Sequence, residues 1–292
     1  MLFVDNFTEQ LKQNMKRIYI SLLALAISGL AFSQASLKLS NGQKIIVESS
    51  TDIQASLTMG MELTSNSATV NALEVKNSTA NNYTVSNALT KMKVSMNMMG
   101  QSNNYNSDNK EGNNEDMAKI FDEKLNKQVT VLVDNKTGAA TIEKKKEKKA
   151  DDTDDADPTA GLMKMFADNS DEAIVAGAFE MIPKGKSVGE SWADTTTAKD
   201  MKMIRTNTLK SITGNEAVIQ SVIVSTGKNK LNFQEMEFEV KSETKTNGEI
   251  IMDLSSGLVK KRTNVADITG SIQMMGQDMP ISAKSTTTSI YK

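Results

Sequence analysis

The chain of 292 residues carries 34 Lys and Arg against 36 Asp and Glu, so its formal net charge is −2 and no basic face for nucleic acid is indicated. It contains no Cys and no His, which excludes disulfides, thiol catalysis, Cys-built metal sites and imidazole proton transfer. With 19 Met, 8 Phe and 1 Trp, its core has to consist of aliphatic residues and methionine. We therefore predict that the protein is not an enzyme and uses no cofactor.

Residues 15–34 have the pattern of a secretory signal peptide. Lys16 and Arg17 form a positive start, residues 18–32 are apolar but too short to span a membrane, and Ala31 and Ser33 are small residues before a cleavage site. We predict a signal peptide over residues 1–33, with translation starting at Met1 or Met15; a short membrane anchor is the alternative. No Cys follows the apolar stretch, so we expect a periplasmic or secreted protein that is not a lipoprotein and has no transmembrane segment after cleavage.

Residues 34–142 are predicted to form an N-terminal β-half with one helix. Apolar and polar residues alternate there with the period of antiparallel strands. In the segment 89–98 (LTKMKVSMNM), Met92, Val94, Met96 and Met98 share one face. The segment 115–127 has the apolar spacing of a helix. The predicted strands are 44–50, 55–63, 69–77, 81–89, 89–98 and 127–135.

Residues 143–158 (EKKKEKKADDTDDADP) are predicted to form a charged linker. Lysines are followed at once by aspartates, with no apolar side chain larger than Ala, so the segment cannot bury enough surface to order itself. Cation binding by these aspartates is the alternative, but the glycine and distal Glu of an EF-hand loop are missing.

Residues 159–292 are predicted to form helices and a C-terminal β-half. Two short helices are expected within 158–182, with Asp171 and Glu172 near the start of the second. Turns are expected at 213–215, 226–229, Asn247-Gly248 and 255–257. The predicted strands are 217–225, 232–244, 248–256, 258–265 and 270–275.

The tetrapeptide Met-Met-Gly-Gln occurs twice, at 98–101 and at 274–277. Each copy closes a strand with period-2 alternation, so each is predicted to end one strand of a hairpin, with Gly100 and Gly276 at positive φ. The repetition favours an internal duplication. The predicted fold class is α+β, mostly antiparallel β, with two related β-halves that form a curved sheet or half-barrel beneath short covering helices.

The methionines lead to the candidate site. A concave sheet lined by adaptable Met side chains predicts a ligand-binding site for an apolar, lipid-like molecule. Two alternatives stay open: a structural or protein-interaction module of the cell envelope, whose methionines fill a core, and a soft-metal site for Cu or Ag at Met-x-Met pairs such as Met96 and Met98. The first hypothesis predicts a cavity of several hundred Å³. Its predicted ligand-binding residues are Met92, Val94, Met96, Met98, Ile272 and Met274.

Three short motifs carry a family resemblance. They are Met98–Gln101 running into Tyr105–Asp108, the segment Pro183–Trp192 with its Val, Gly, Glu and Trp, and the Thr- and Ser-rich segment Ser285–Ile290. With these motifs the chain resembles an exported Bacteroidota family known only as a domain of unknown function. The resemblance implies a β-rich domain outside the cytoplasm and brings no catalytic residue.

Overall fold

The computed structural model of the protein describes residues 37–56, 60, 62–98, 100–142, 170–198, 201–233, 236–274 and 277–292. The predicted signal peptide, charged linker and first helix of the segment 158–182 lie outside these residues. The helices are α1 (Glu115–Asp122) and α2 (Asp171–Gly177). The strands are β1 (Lys44–Ser56), β2 (Glu62–Ser78), β3 (Asn82–Met98), β4 (Gln101–Asn106), β5 (Gln128–Asp134), β6 (Ala140–Ile142), β7 (Ser191–Ala198), β8 (Met201–Thr213), β9 (Glu216–Phe233), β10 (Met236–Asp253), β11 (Val259–Met274) and β12 (Gln277–Tyr291).

All twelve strands belong to one open antiparallel sheet, in the order β6-β5-β3-β2-β1-β12-β11-β10-β9-β8-β7, with β4 paired to β3 beside this path. The central pair is β1 and β12, which run from Val47 opposite Tyr291 to Ser56 opposite Ser282. Strands that precede the predicted linker lie on one side of this pair, and strands that follow it lie on the other. The predicted mostly antiparallel sheet is thus confirmed.

Strand β3 changes its partner halfway along. Residues 82–88 pair with β5, whereas residues 93–98 pair with β4. Between these two stretches the carbonyl of Leu89 accepts a hydrogen bond of 2.8 Å from the backbone N–H of Asn126, which has a φ of 59°. A bulge opposite Val70 and Asn71 accompanies the change. It reverses the parity of the strand, so that Val85 and then Met92 face the same side of the sheet.

Two predicted turns are wrong. Asn247-Gly248 lies inside β10 and the segment 226–229 lies inside β9. Gly248 does not reverse the chain; it lets the Asn264 side chain of β11 lie close to the backbone of β10, because a Cβ at position 248 would overlap Asn264 Oδ1. Several strand predictions also need correction. The segments 81–89 and 89–98 are one strand, β3, and 258–265 and 270–275 both belong to β11. The segments 55–63 and 232–244 cross the connections between β1 and β2 and between β9 and β10.

Both Met-Met-Gly-Gln segments form hairpin connections, as predicted. Met98 lies opposite Gln101, and Met274 lies opposite Gln277, so each segment joins two antiparallel neighbours. Gly100 has a φ of 79°, which only glycine adopts without strain. Gly276 lies outside the described residues.

The turns that follow β5 and β10 share one design that the sequence analysis missed. Asp253 Oδ1 accepts hydrogen bonds of 2.6 to 3.0 Å from the backbone N–H groups and hydroxyls of Ser255 and Ser256. Asp134 binds Thr137 in the same way, at 2.8 Å. In the N-terminal half this turn follows Met-Met-Gly-Gln, whereas in the C-terminal half it precedes Met-Met-Gly-Gln. A simple tandem duplication does not produce this difference in order, so the kinship of the halves stays a prediction.

These two turns also show that the sheet bends strongly. Four strands lie between β5 and β11, so a flat sheet would separate them by roughly 24 Å. Yet Leu37 N donates to Asn135 O at 3.2 Å, and the next residue, Lys38, donates to Ser256 O at 3.0 Å. Because adjacent residues reach both turns, the sheet curls toward the face that carries the helices, which we call the inner face.

The inner face holds three clusters of buried side chains. The first lies under α2 and consists mainly of Ile, Leu and Val from β1, β2, β3 and β5. The second lies under α1, whose Met117 and Phe121 are one turn apart and both buried. Asn114 caps this helix by accepting hydrogen bonds from the N–H groups of Asp116 and Met117. The third joins β8 to β11 and includes Leu209, Ile250 and Met252. In the described part of the chain, neither helix has the length and hydrophobicity needed to cross a membrane.

Candidate functional site

The six predicted ligand-binding residues fall into two separate groups. Met92, Val94 and Met96 point to the inner face of β3 and are 7%, 7% and 4% exposed; Met98 packs against the same cluster. Ile272 and Met274 lie on β11, which is separated from β3 by three other strands. They pair with Met279 and Gln277, beyond the end of the β1–β12 pair, and their side chains lie outside what the structure describes.

The methionines of β3 fill a core under α1. Tyr105 and Phe121 lie beside them, with ring centroids 5.2 Å apart. The Tyr105 hydroxyl donates to Asp122 Oδ1 at 2.7 Å. Burial and the adjacent carboxylate raise the pKa of Tyr105, and the hydrogen bonds from Tyr105 and Lys110 lower the pKa of Asp122. Val94 and Met96 are buried in this core, and Met92, at its border, also contributes to the wall of a cavity.

That cavity, of about 270 Å³, lies between α1, α2 and the inner face of the sheet, and we call it the interhelix cavity. Side chains from both helices and from β1, β2, β3 and β5 form its wall, so it exists only in the folded chain. Lys124 and Lys127 are exposed and mark its mouth. The apolar wall consists of Leu89, Met92, Phe121, Val129 and Ile174, and the polar wall of Ser49, Thr69, Asn71, Ser170 and Asp171.

Asn71 is the polar group of this wall with an unmet hydrogen-bonding requirement. Its side chain is 2% exposed, and its Oδ1 has no partner among the described residues. Asn87, 1% exposed, is a diagonal neighbour on the same face, since it pairs with Leu73 while Asn71 pairs with Leu89. Asn87 Nδ2 donates to Asp171 Oδ1 at 2.6 Å, which leaves the Asn87 Oδ1 without a partner in the same part of the structure. Buried amide oxygens are normally hydrogen-bonded, so these two oxygens are acceptors that a hydrogen-bond donor would complete.

A second polar cluster lies on the other side of the sheet centre, around Glu180. The Glu180 side chain is 2% exposed and binds Arg205 and Arg262, each at 3.2 Å. Arg262 also donates to the carbonyl of Gly177 at 3.4 Å, which ties the end of α2 to β11. Burial raises the pKa of nearby Tyr291, against the opposing effect of Arg262. Sequence reasoning missed this cluster, although Glu180 is the only charged residue of AIVAGAFEMI and could have been singled out.

Two larger recesses lack these features. One of about 780 Å³ on β7 to β11 is open to solvent, and its wall includes Lys202, Lys228 and Glu243, all exposed. Another of about 430 Å³ spans β1, β2, β11 and β12, with Glu62 and Lys284 on its rim. Within the described ranges, no group of three or more Asp or Glu side chains is placed to hold a metal ion.

Comparisons with known proteins give a family and a distant structural likeness. The model of the Family of unknown function (DUF6263) matches residues 80–259. No curated protein matches. A structure entitled "Lipid-protein interactions in lipovitellin" is 12% identical with a TM-score of 0.45, over 87% of this chain and 25% of that one, so this chain spans a quarter of that protein. OccK5 (OpdH) of Pseudomonas aeruginosa is 6% identical (TM-score 0.27, 88% and 100% covered). An outer membrane channel of Pseudomonas putida F1 is 8% identical (TM-score 0.22, 88% and 98% covered).

Proposed function

This chain belongs to the DUF6263 family, and from that premise we propose that it is an exported, non-catalytic binding protein whose interhelix cavity holds a small amphipathic molecule. The observation that carries the proposal is the pairing of an apolar wall with one buried, unpartnered amide oxygen, that of Asn71. Apolar pockets with a few convergent polar groups are the usual form of small-molecule sites.

The size of the interhelix cavity limits the ligand. Its volume of about 270 Å³ lies just below the range of about 300–1,000 Å³ that is typical of drug-sized ligands. A molecule of metabolite size, or the end of one short acyl chain, fits this space, whereas a whole lipid does not. The proposal thus keeps the apolar ligand of the sequence-based hypothesis but moves it from a Met-lined sheet to a cavity of which Met92 is one wall.

The wall offers little for catalysis. The sequence has no His and no Cys, so neither an imidazole base nor a thiol nucleophile is available. Among the described residues of the wall, Asp171 is the one carboxylate, and it already accepts a hydrogen bond from Asn87. Binding without reaction is the chemistry that these groups support.

Native mass spectrometry of the protein, purified without detergent from a periplasm to which it is exported, tests this proposal. We expect a small-molecule adduct that disappears in Ile174→Trp, because the indole fills the cavity beside Met92 and Phe121. Ile204→Trp is the matched control, since Ile204 is 37% exposed on the opposite face of the sheet. An adduct that survives in Ile174→Trp but is lost in Ile204→Trp would contradict the proposal.

One observation favours the envelope interaction module as a second candidate. Val94 and Met96 are packed under α1, as that hypothesis requires of the methionines. A bare protein mass in every preparation would support this candidate over the binding protein. A silver or copper adduct would instead support the third hypothesis, a soft-metal site at Met96 and Met98, which share one face of β3.

A further inference from the structure

We infer that the ligand of the interhelix cavity carries an N–H or O–H group beside a flat or branched apolar surface, and that this group donates a hydrogen bond to Asn71 Oδ1. The inference rests on the proposed function and adds the ligand's chemical class to it. It starts from the 2% exposed Asn71, the buried side chain of the wall whose acceptor has no partner among the described residues.

Two polar groups of the wall near Asn71 already have hydrogen-bond partners. The Asp171 carboxylate can only accept, and it has taken the Nδ2 donor of Asn87 at 2.6 Å, which fixes the orientation of that amide. The Ser49 hydroxyl is engaged with Ser289 at 2.8 Å. Neither of these groups donates to Asn71 Oδ1, so a ligand that brings an N–H or O–H donor can pair with this oxygen, whereas a ligand that brings only an acceptor cannot.

The apolar wall sets the other half of the ligand. Leu89, Met92, Phe121 and Ile174 surround the space beside Asn71, and the thioether of Met92 adapts to irregular shapes and makes favourable contacts with aromatic rings. A ligand that fills this space without donating a hydrogen bond leaves Asn71 Oδ1 unpaired, so it should bind more weakly than a ligand that donates one.

Indole, benzofuran and indene form a matched set of probes, because they share a bicyclic apolar surface and differ in one ring position. That position is a donor N–H in indole, an acceptor oxygen in benzofuran and a CH₂ group in indene. Isothermal titration of the purified full chain with each probe gives three dissociation constants. We expect indole to bind about tenfold tighter than benzofuran, the equivalent of about 1.4 kcal/mol, with indene between them or equal to benzofuran.

Asn71→Leu should remove the preference for indole, because it replaces the amide with an apolar group of similar shape. Asn66→Leu is the control: it lies on the same strand, on the opposite, exposed face. Ile174→Trp should abolish binding of all three probes, which places them in the cavity. The comparison of probes on the unaltered protein remains decisive if Asn71→Leu does not fold.

The outcomes separate the two claims. Equal affinity for indole and benzofuran, or tighter binding of benzofuran, overturns the inference but leaves the binding function supported. Binding of none of the three, together with no adduct in the native mass spectrum, overturns the proposed function and this inference with it. A preference for indole that persists in Asn71→Leu also overturns the inference, because the donor then binds elsewhere.

Discussion

Replacing Glu180 with Gln should destabilise the protein far more than the loss of a surface charge. The Glu180 side chain is 2% exposed and forms ion pairs with both Arg205 and Arg262. The substitution keeps the shape of this side chain and removes the negative charge that pairs with both guanidinium groups. Removing one member of a buried ion pair costs roughly 3–5 kcal/mol, because the remaining charge is left buried and unpaired.

The structure places the expected value at the lower end of this range, at about 3 kcal/mol. Arg205 is 29% exposed and has a second partner, Asp194, at 3.5 Å, so water and Asp194 stabilise part of its charge. Arg262 is only 14% exposed, so its unpaired charge accounts for most of the expected loss in the free energy of unfolding. For a chain of this size the midpoint of thermal unfolding should fall by about 6–12 °C.

Urea unfolding followed by circular dichroism measures the effect, with Glu249→Gln as the control, since Glu249 is exposed on the outer side of β10. Adding Arg262→Met to Glu180→Gln should recover part of the loss, because the double variant removes the stranded charge. A loss below about 1 kcal/mol for Glu180→Gln, the value of an exposed ion pair, would refute the reasoning.

Two further substitutions test the sheet and its turns. Gly248→Ala should cost about 1–3 kcal/mol in the free energy of unfolding, because the new Cβ overlaps Asn264 Oδ1, and Asn264→Ala should relieve part of this cost; an unchanged melting temperature for Gly248→Ala would contradict the assigned role of the glycine. Burial acts to raise the pKa of Asp253, but hydrogen bonds from Ser255 and Ser256 outweigh it and lower this pKa below its usual 3.8. The ionised Asp253 therefore stabilises the fold above about pH 4, and this contribution is lost as the pH falls through the lowered pKa. Asp253→Asn should therefore destabilise the protein more at pH 7 than at pH 2, and equal losses in urea titrations at both values would show that the charge of Asp253 is irrelevant.

Short-range patterns in the sequence predicted the strands and turns that depend on neighbouring residues. The alternation of Met92, Val94 and Met96 predicted the buried face of β3, and Gly100 predicted the hairpin that follows. Asn247-Gly248 was wrongly predicted as a turn because this dipeptide occurs both in tight turns and where two strands approach closely. Only the position of Asn264 on the neighbouring strand distinguishes the two cases.

The candidate site could not be predicted in this way. Its wall brings together Asn71, Leu89, Phe121 and Ile174 from four elements, and no pattern within any one element indicates the others. The prediction from methionine joined β3 to β11 because both carry the same tetrapeptide, whereas the sheet order places three strands between them. Membership of a family of unknown function, by contrast, was predicted and is confirmed for residues 80–259, while the Bacteroidota origin and the individual motifs stay predictions.

The pairing of β1 with β12 has a consequence for the order of folding. Val47 and Tyr291 are opposite each other in the sheet but 244 positions apart in the chain, so the centre of the sheet is its most non-local contact. Sheets dominated by such contacts fold slowly, since a long loop must close before the pairing stabilises it. Until β12 joins the sheet, β1 and β11 each present an unpaired edge, which is the state of a sheet most open to association with other chains. The edge of β1, a strand that ends at Ser56, stays open until β12, which begins at Gln277, pairs with it, and that one strand closes both edges.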